Sequence, residues 1–175
     1  MQIKELKPTE ILTTKDFPVH NLNTLKIYFK ICKEGHQKIL PPTPVIPLSI
    51  GLPLLKSKDK KSRAYNQRLI NWLDKNKNIK YMLVDGNHKT TALTLAHKKI
   101  HAMILTTNKD IKEVQALIKK GEIFGIYKIE SIEKELGNMA KHFSTAKLFE
   151  SVKDKTLRMI NKRAVPPYMI DFYKR

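Results

Sequence analysis

The stretch Asp85-Gly86-Asn87-His88-Lys89-Thr90-Thr91 gathers more chemistry than any other part of the chain. Asp85 and His88 are residue types that move protons or orient water. Lys89 and the two threonine hydroxyls can contact phosphate oxygens. Tyr81 to Val84, just before, is an apolar run suited to a buried strand. Asp85-Gly86 is a turn signal. From about His88 the chain reads as a helix, with Ala92, Leu93, Leu95 and Ala96 available for packing. A helix N-terminus offers unpaired N–H groups and a partial positive charge. Gly86 permits close approach to the backbone. Such a turn is a place for a phosphate. The same residues also suit a plain connector, capped by Asp or Asn, with His88 and Lys89 solvated.

A second candidate is Glu10, in Lys7-Pro8-Thr9-Glu10. This segment breaks a weakly alternating strand over Gln2 to Leu6. Glu10 is either a catalytic carboxylate or a charge that complements a helix start. Cys32 is the single cysteine, so no internal disulfide framework exists. Its place in an apolar helical pattern makes it a small core residue.

The elements that must position these groups alternate between strand and helix. Asn21 to Lys33 predicts a helix, with Asn21 or Asn23 as cap and Gly35 as its end. Leu22, Leu25, Phe29 and Cys32 form its apolar face. Pro41-Pro42-Thr43-Pro44 must be extended. Val45 to Ile50 predicts a second strand, which Pro47 pushes towards an edge or a bulge. Arg63 to Lys75 predicts a short amphipathic helix between flexible Lys-rich flanks, with Trp72 as a core anchor or a base-stacking platform. Ile100 to Leu105 is another strand, giving a βαβ unit or a mixed sheet with Tyr81 to Val84. Asp110 to Lys120 predicts a helix closed by Gly121. Phe124 to Tyr127, with Ile123, suits a strand or a packed loop. Ser131 to about Arg163 predicts two helices, with Ser144 or Thr145 as the cap between them and Leu148 on the second apolar set. Val165-Pro166-Pro167 ends them, and Tyr168 to Tyr173 is an apolar tail. The fold class is α/β (α+β).

With 34 Lys and Arg against 16 Asp and Glu, the chain carries a net charge of +18. Such a chain attracts polyanions. The excess is mostly lysine, which suits non-specific phosphate contact better than bidentate base reading. Residues 56–80 hold nine basic and two acidic groups, and residues 151–175 hold seven and two. Lys58, Lys60, Lys61, Arg63, Arg68, Arg158, Lys162 and Arg163 are the candidate nucleic-acid contacts. No apolar run is long enough to span a membrane. The start of the chain has no secretory h-region, so a cytoplasmic location is expected.

The order of Leu6-Lys7-Pro8-Thr9-Glu10, a helix, Pro41-Pro42-x-Pro44-Val45-Ile46, then Tyr81-x-Leu83-Val84-Asp85-Gly86-Asn87-His88-Lys89-x-x-Ala92-Leu93 and a strand resembles the ParB/sulfiredoxin superfamily. The likeness covers residues 1–106, with 56–80 as a basic insertion and 107–175 as a helical extension. The turn is most similar to the Asp-Gly-His-His-Arg turn of ADP-dependent free-serine kinases. Asn87 stands in place of a His and Lys89 in place of the Arg. Lysine neutralises a phosphate but does not grip it bidentately. No cysteine follows Gly86, so sulfiredoxin chemistry is excluded.

The resemblance implies a small mixed-sheet core. It implies that Gly86, Asn87, His88, Lys89, Thr90 and Thr91 hold nucleotide or nucleic-acid phosphate, with Asp85 available to Mg²⁺. ATP, ADP or CTP with Mg²⁺ are the implied cofactors. One expectation is a ParB-like protein associated with nucleic acid, with nuclease activity open. Another is an ATP- or ADP-dependent kinase or nucleotide hydrolase, with Glu10, Asp85 and His88 as catalytic groups. A third is a non-catalytic protein-interaction module. The C-terminal helices could pair as a homodimer.

Overall fold

A computed structural model describes residues 1–13, 21–123, 129–146 and 148–175. The apolar runs form one mixed five-stranded sheet: β1 (Gln2–Leu6), β2 (Ile11–Leu12), β3 (Thr43–Pro47), β4 (Tyr81–Leu83) and β5 (Ile100–Ile104). Their order across the sheet is β1-β5-β3-β4-β2. β1 with β5 and β3 with β4 are antiparallel; β5 with β3 and β4 with β2 are parallel. The helices are α1 (Leu22–Lys33), α2 (Lys60–Lys75), α3 (Asn87–Leu95), α4 (Asn108–Lys119), α5 (Ile132–Thr145), α6 (Val152–Asn161) and α7 (Pro167–Tyr173). The protein is therefore of mixed α/β class, as its pattern implies.

Successive strand side chains point to opposite faces, and this alternation divides the interior in two. Val45, Leu83 and Ile104 face one core, with Leu25 and Phe29 of α1, Leu93 and Leu95 of α3, Met159 of α6 and Met169 of α7. Ile46, Met82 and Met103 face the other, with Tyr65 and Leu69 of α2, Val114 of α4 and Phe143 of α5. The helices after residue 106 complete both cores rather than building one of their own. The tail read as apolar is α7, and its Met169 is fully buried. Helix α3 is buried along most of its length and packs on α1, α6 and α7. Cys32 lies in the first core, and burial pushes its thiol up to about 11.

Three expectations change, and one pair of alternatives is decided. The proline-bearing strand is the centre of the sheet, not an edge. Its two ladders are staggered: Pro44 falls only in the ladder with β5, and Pro47 only in the ladder with β4. Pro47 thus lies beyond the end of the ladder with β5, and at Pro44 the bond from the β4 side runs to its carbonyl, which proline keeps. Of the two alternatives for β4, α3 and β5, the mixed sheet holds and the βαβ unit does not, because β3 lies between the two strands and is antiparallel to β4. The flanks of α2 are tied down: Leu55 exchanges two hydrogen bonds of 2.9 Å with the Asn66 side chain, and Asn78 Nδ2 donates to Thr9 O at 2.6 Å. The cap of α6 is Ser151, whose Oγ accepts from Asp154 N at 3.0 Å. Ser144 and Thr145 instead donate backwards to the carbonyls of Lys141 and His142 at the end of α5. Leu148, in the segment between, is 58% exposed. Trp72 is half-buried and packs on Phe149, 5.9 Å between centroids, as a core anchor. The segment Phe124 to Tyr127 lies outside the described residues.

Ser151→Ala removes the cap of a helix that completes the first core and lowers stability by ~1 kcal/mol, whereas Ser144→Ala changes it little. Chemical denaturation of the two variants against the parent checks this difference.

Candidate phosphate site at the start of the third helix

The strand β4 delivers the chain to the site. Beyond Leu83, Val84 N still donates to Pro44 O at 3.0 Å, so pairing with β3 continues to the turn. Gly86 then adopts φ +96°, ψ 30°, in the left-handed region, and α3 begins at the next residue. A Cβ at Gly86 would stand 3.2 Å from Thr43 Cγ2 and 3.4 Å from Thr43 Oγ1. Glycine is needed here both for its conformation and for the close approach of β3.

No side chain caps α3. The two expected caps are engaged elsewhere. Asp85 Oδ1 accepts from Gly86 N at 2.6 Å, and Asn87 Oδ1 accepts from Lys155 Nζ at 2.5 Å. The Thr90 hydroxyl donates back to Gly86 O at 3.0 Å, so its proton is used within the helix. Thr91 is buried, and its Oγ1 has no hydrogen-bond partner among the described residues. His88 is half-buried in the first turn.

Two lysines converge on this turn. Lys89 bends away from solvent, and its Nζ donates to the carbonyl of Pro41 and, at 3.3 Å, to that of Pro42. Burial pushes its ammonium down to about 8, against the opposing pull of the Asp85 charge. Lys155, on α6, is only 1% exposed. Thr43 is fully buried, and its Oγ1 has no partner among the described residues. Neither Lys155 nor Thr43 was singled out from sequence. A signal existed for Lys155: it stands three residues after Val152 and four before Met159, inside the apolar stripe of α6.

Asp85 lies where the layers meet. Its charge adds to burial in raising the Tyr28 hydroxyl on α1. It also reaches Glu135 on α5, whose carboxyl is raised first by burial, with a hydrogen bond from Asn138 opposing. Glu135 is a half-buried carboxylate that sequence reasoning missed.

Glu10 is not brought to the turn. In the parallel register Ile11 pairs with Tyr81, and Lys80 N donates to Glu10 O at 2.9 Å. Glu10 therefore sits at the start of β4, whereas Asp85 follows its end. The four residue steps from Lys80 to Val84 put roughly 13 Å of extended chain between the two ends. Glu10 Oε2 accepts from Lys7 N at 2.7 Å and closes the short 3-10 turn Pro8–Glu10.

The candidate nucleic-acid contacts divide. Lys58, Lys60, Lys61 and Arg63 are exposed around the start of α2, and Lys162 and Arg163 are exposed after α6. These two groups belong to helices on opposite faces of the sheet. Arg68 donates to Ala146 O at 3.0 Å and lies over the Phe149 ring. Arg158 forms a two-pronged pair with Glu150, both contacts 2.7 Å. Among the described residues, no group of three or more His, Cys, Asp or Glu is placed to hold a metal ion, and no helix is long and apolar enough to cross a membrane.

No family model, curated protein or solved structure matches this chain. The fold and the turn together define a mixed α/β protein with an uncapped, lysine-flanked helix start at the end of an inner strand.

Thr43→Val keeps shape and removes a buried hydroxyl that has no partner, so stability stays level or rises by ~1 kcal/mol; thermal melting of the unliganded protein checks it. NMR titration of the Lys89 side chain gives a midpoint near 8, and a lower one in Asp85→Asn, because the carboxylate holds the proton on.

Proposed function

We propose that the protein binds a phosphate of a nucleotide or nucleic acid through Asp85-Gly86-Asn87-His88-Lys89, as the turn of a ParB/sulfiredoxin-like core would. The observation that carries this reading is the uncapped start of α3 beside the buried, unpartnered Thr43 hydroxyl. A buried hydroxyl without a partner costs about 1–3 kcal/mol. An oxyanion at this position relieves that cost and also accepts from the first amides of the helix. Lys89 and Lys155 make the local potential positive, and the exposed lysines of α2 add long-range attraction. Asp85 is the carboxylate that would share Mg²⁺ with bound ATP, ADP or CTP. The proposal is of binding, and Glu10 has no part in it, because its carboxylate is used in the Pro8–Glu10 turn.

Fluorescence anisotropy with single- and double-stranded DNA, and thermal shift with ATP, ADP and CTP with and without Mg²⁺, test this reading. Affinity for DNA falls steeply between about 50 and 200 mM salt. Gly86→Ala, which presses on Thr43, and Lys89→Met, which removes a charge, each weaken binding by roughly tenfold, about 1.4 kcal/mol. Lys89 is charged below its value of about 8, so binding weakens as the pH rises through that point. Absence of binding to every nucleotide and to DNA at low salt would contradict the reading.

A further inference from the structure

A helix ends most easily on a left-handed residue, and glycine takes that conformation without strain. Helices α1 and α4 end this way on Gly35, at φ +85°, and Gly121, at φ +74°. Helices α3 and α6 end instead on side chains, His97 at φ +55° and Arg163 at φ +51°. At the end of α3, His97 N donates to Thr94 O at 3.1 Å and Lys98 N to Leu93 O at 2.8 Å. The fold thus keeps a strained imidazole where glycine would serve, and such outliers gather at functional surfaces.

The His97 ring stacks on Tyr173, 4.8 Å between centroids and 14° from parallel, with Phe172 at 6.4 Å. One face of the imidazole lies against Tyr173, yet the residue is exposed. Tyr173 and Phe172 are half-buried and pack on the first core. An anchored aromatic stack therefore has its outer ring at the surface. Cations gather around it. Lys33 of α1 stands with Nζ 5.8 Å from the Phe172 centroid. Lys99, two residues after His97, is exposed, and so are Lys174 and Arg175, directly after Tyr173. Glu34 and Asp171 offset part of this charge.

Lysine and arginine take backbone phosphates, and a flat ring at the surface takes a flat partner. Single-stranded nucleic acid offers both, whereas a duplex keeps its base faces within its own stack. We propose that this end of the molecule binds single-stranded nucleic acid. An unpaired base stacks on His97, and the backbone runs over Lys33, Lys99, Lys174 and Arg175. The surface lies at the opposite end of α3 from the Asp85–Lys89 turn, so it goes beyond the turn reading and does not depend on it.

Fluorescence anisotropy of the full chain tests the proposal with three probes: an oligothymidylate, an abasic strand of the same length and a duplex. The parent binds the oligothymidylate about tenfold more tightly than the abasic strand, as one stacked base would give. His97→Asn removes the ring and suits the left-handed backbone, so it melts within a few degrees of the parent. In this variant the two single strands bind about equally, while duplex affinity stays at the parent value. Tyr173→Leu, which removes the ring beneath His97, narrows the same gap. Lys33→Gln combined with Lys174→Gln weakens both single strands alike and lowers the salt slope, leaving the gap in place. Gly86→Ala also leaves the gap in place, which separates this surface from the turn. Equal affinity of the parent for the oligothymidylate and the abasic strand would overturn the proposal. So would a gap that survives in His97→Asn, or a loss of duplex affinity in that variant as large as the loss for the oligothymidylate.

Discussion

The left-handed conformation of Gly86 is the constraint on which the rest of the site depends. It lets the chain leave an inner strand, still paired through Val84, and enter a buried helix within two residues. Any side chain at this position would pay for the conformation and would meet Thr43 at 3.2 Å. The consequence is a helix start pressed against the centre of the sheet, with no residue before it free to cap it. A fold that needed only a connector here had Asp85 and Asn87 at hand as caps. Both face other groups instead.

The two lysines of the turn serve the fold and its electrostatics at once. Lys89 joins α3 to the Pro41–Pro42 segment that leads into β3. Lys155 joins α6 to the first residue of the same helix. A buried ammonium is costly unless it is hydrogen-bonded, and each of these finds oxygen acceptors. For Lys89 the acceptors are neutral carbonyls, which leave more of the positive charge uncompensated than carboxylates would. Burial lowers the Lys89 value, and the Asp85 charge only partly offsets that effect. A bound oxyanion would favour the charged form of Lys89.

Much of the fold was legible because apolar spacing and end signals agreed. Asn21 caps α1, and Gly35, at φ +85°, follows its end. The misreadings share a cause: local chemistry that tertiary pairing decides. Proline argues for an edge strand only if its neighbours run the full length of the strand, and here the ladders of β3 are staggered. Ser144, Thr145 and Ser151 are all plausible caps in isolation. Ser151 wins because it bridges to Leu12 at the end of β2, which holds that point of the chain extended before α6. The Asp85–Lys89 turn was legible as a helix start, but the side chains that complete it were not. Thr43 and Lys155 come from segments 43 residues before and 68 residues after Gly86 and Asn87, respectively, and only the folded sheet brings them there. Glu10 shows the reverse. Its local reading, as a charge that complements a helix start, agrees with its place in the first turn of the short 3-10 helix Pro8–Glu10.

The most direct measurement is a backbone and methyl NMR titration of the full chain with ATP and with a 5′-phosphorylated strand. If α3 begins at a phosphate seat, the amides of Asn87, His88 and Lys89 and the methyl group of Thr43 shift together and saturate at one ligand concentration. Shifts confined to the exposed lysines of α2, with the α3 amides unmoved, would contradict the account.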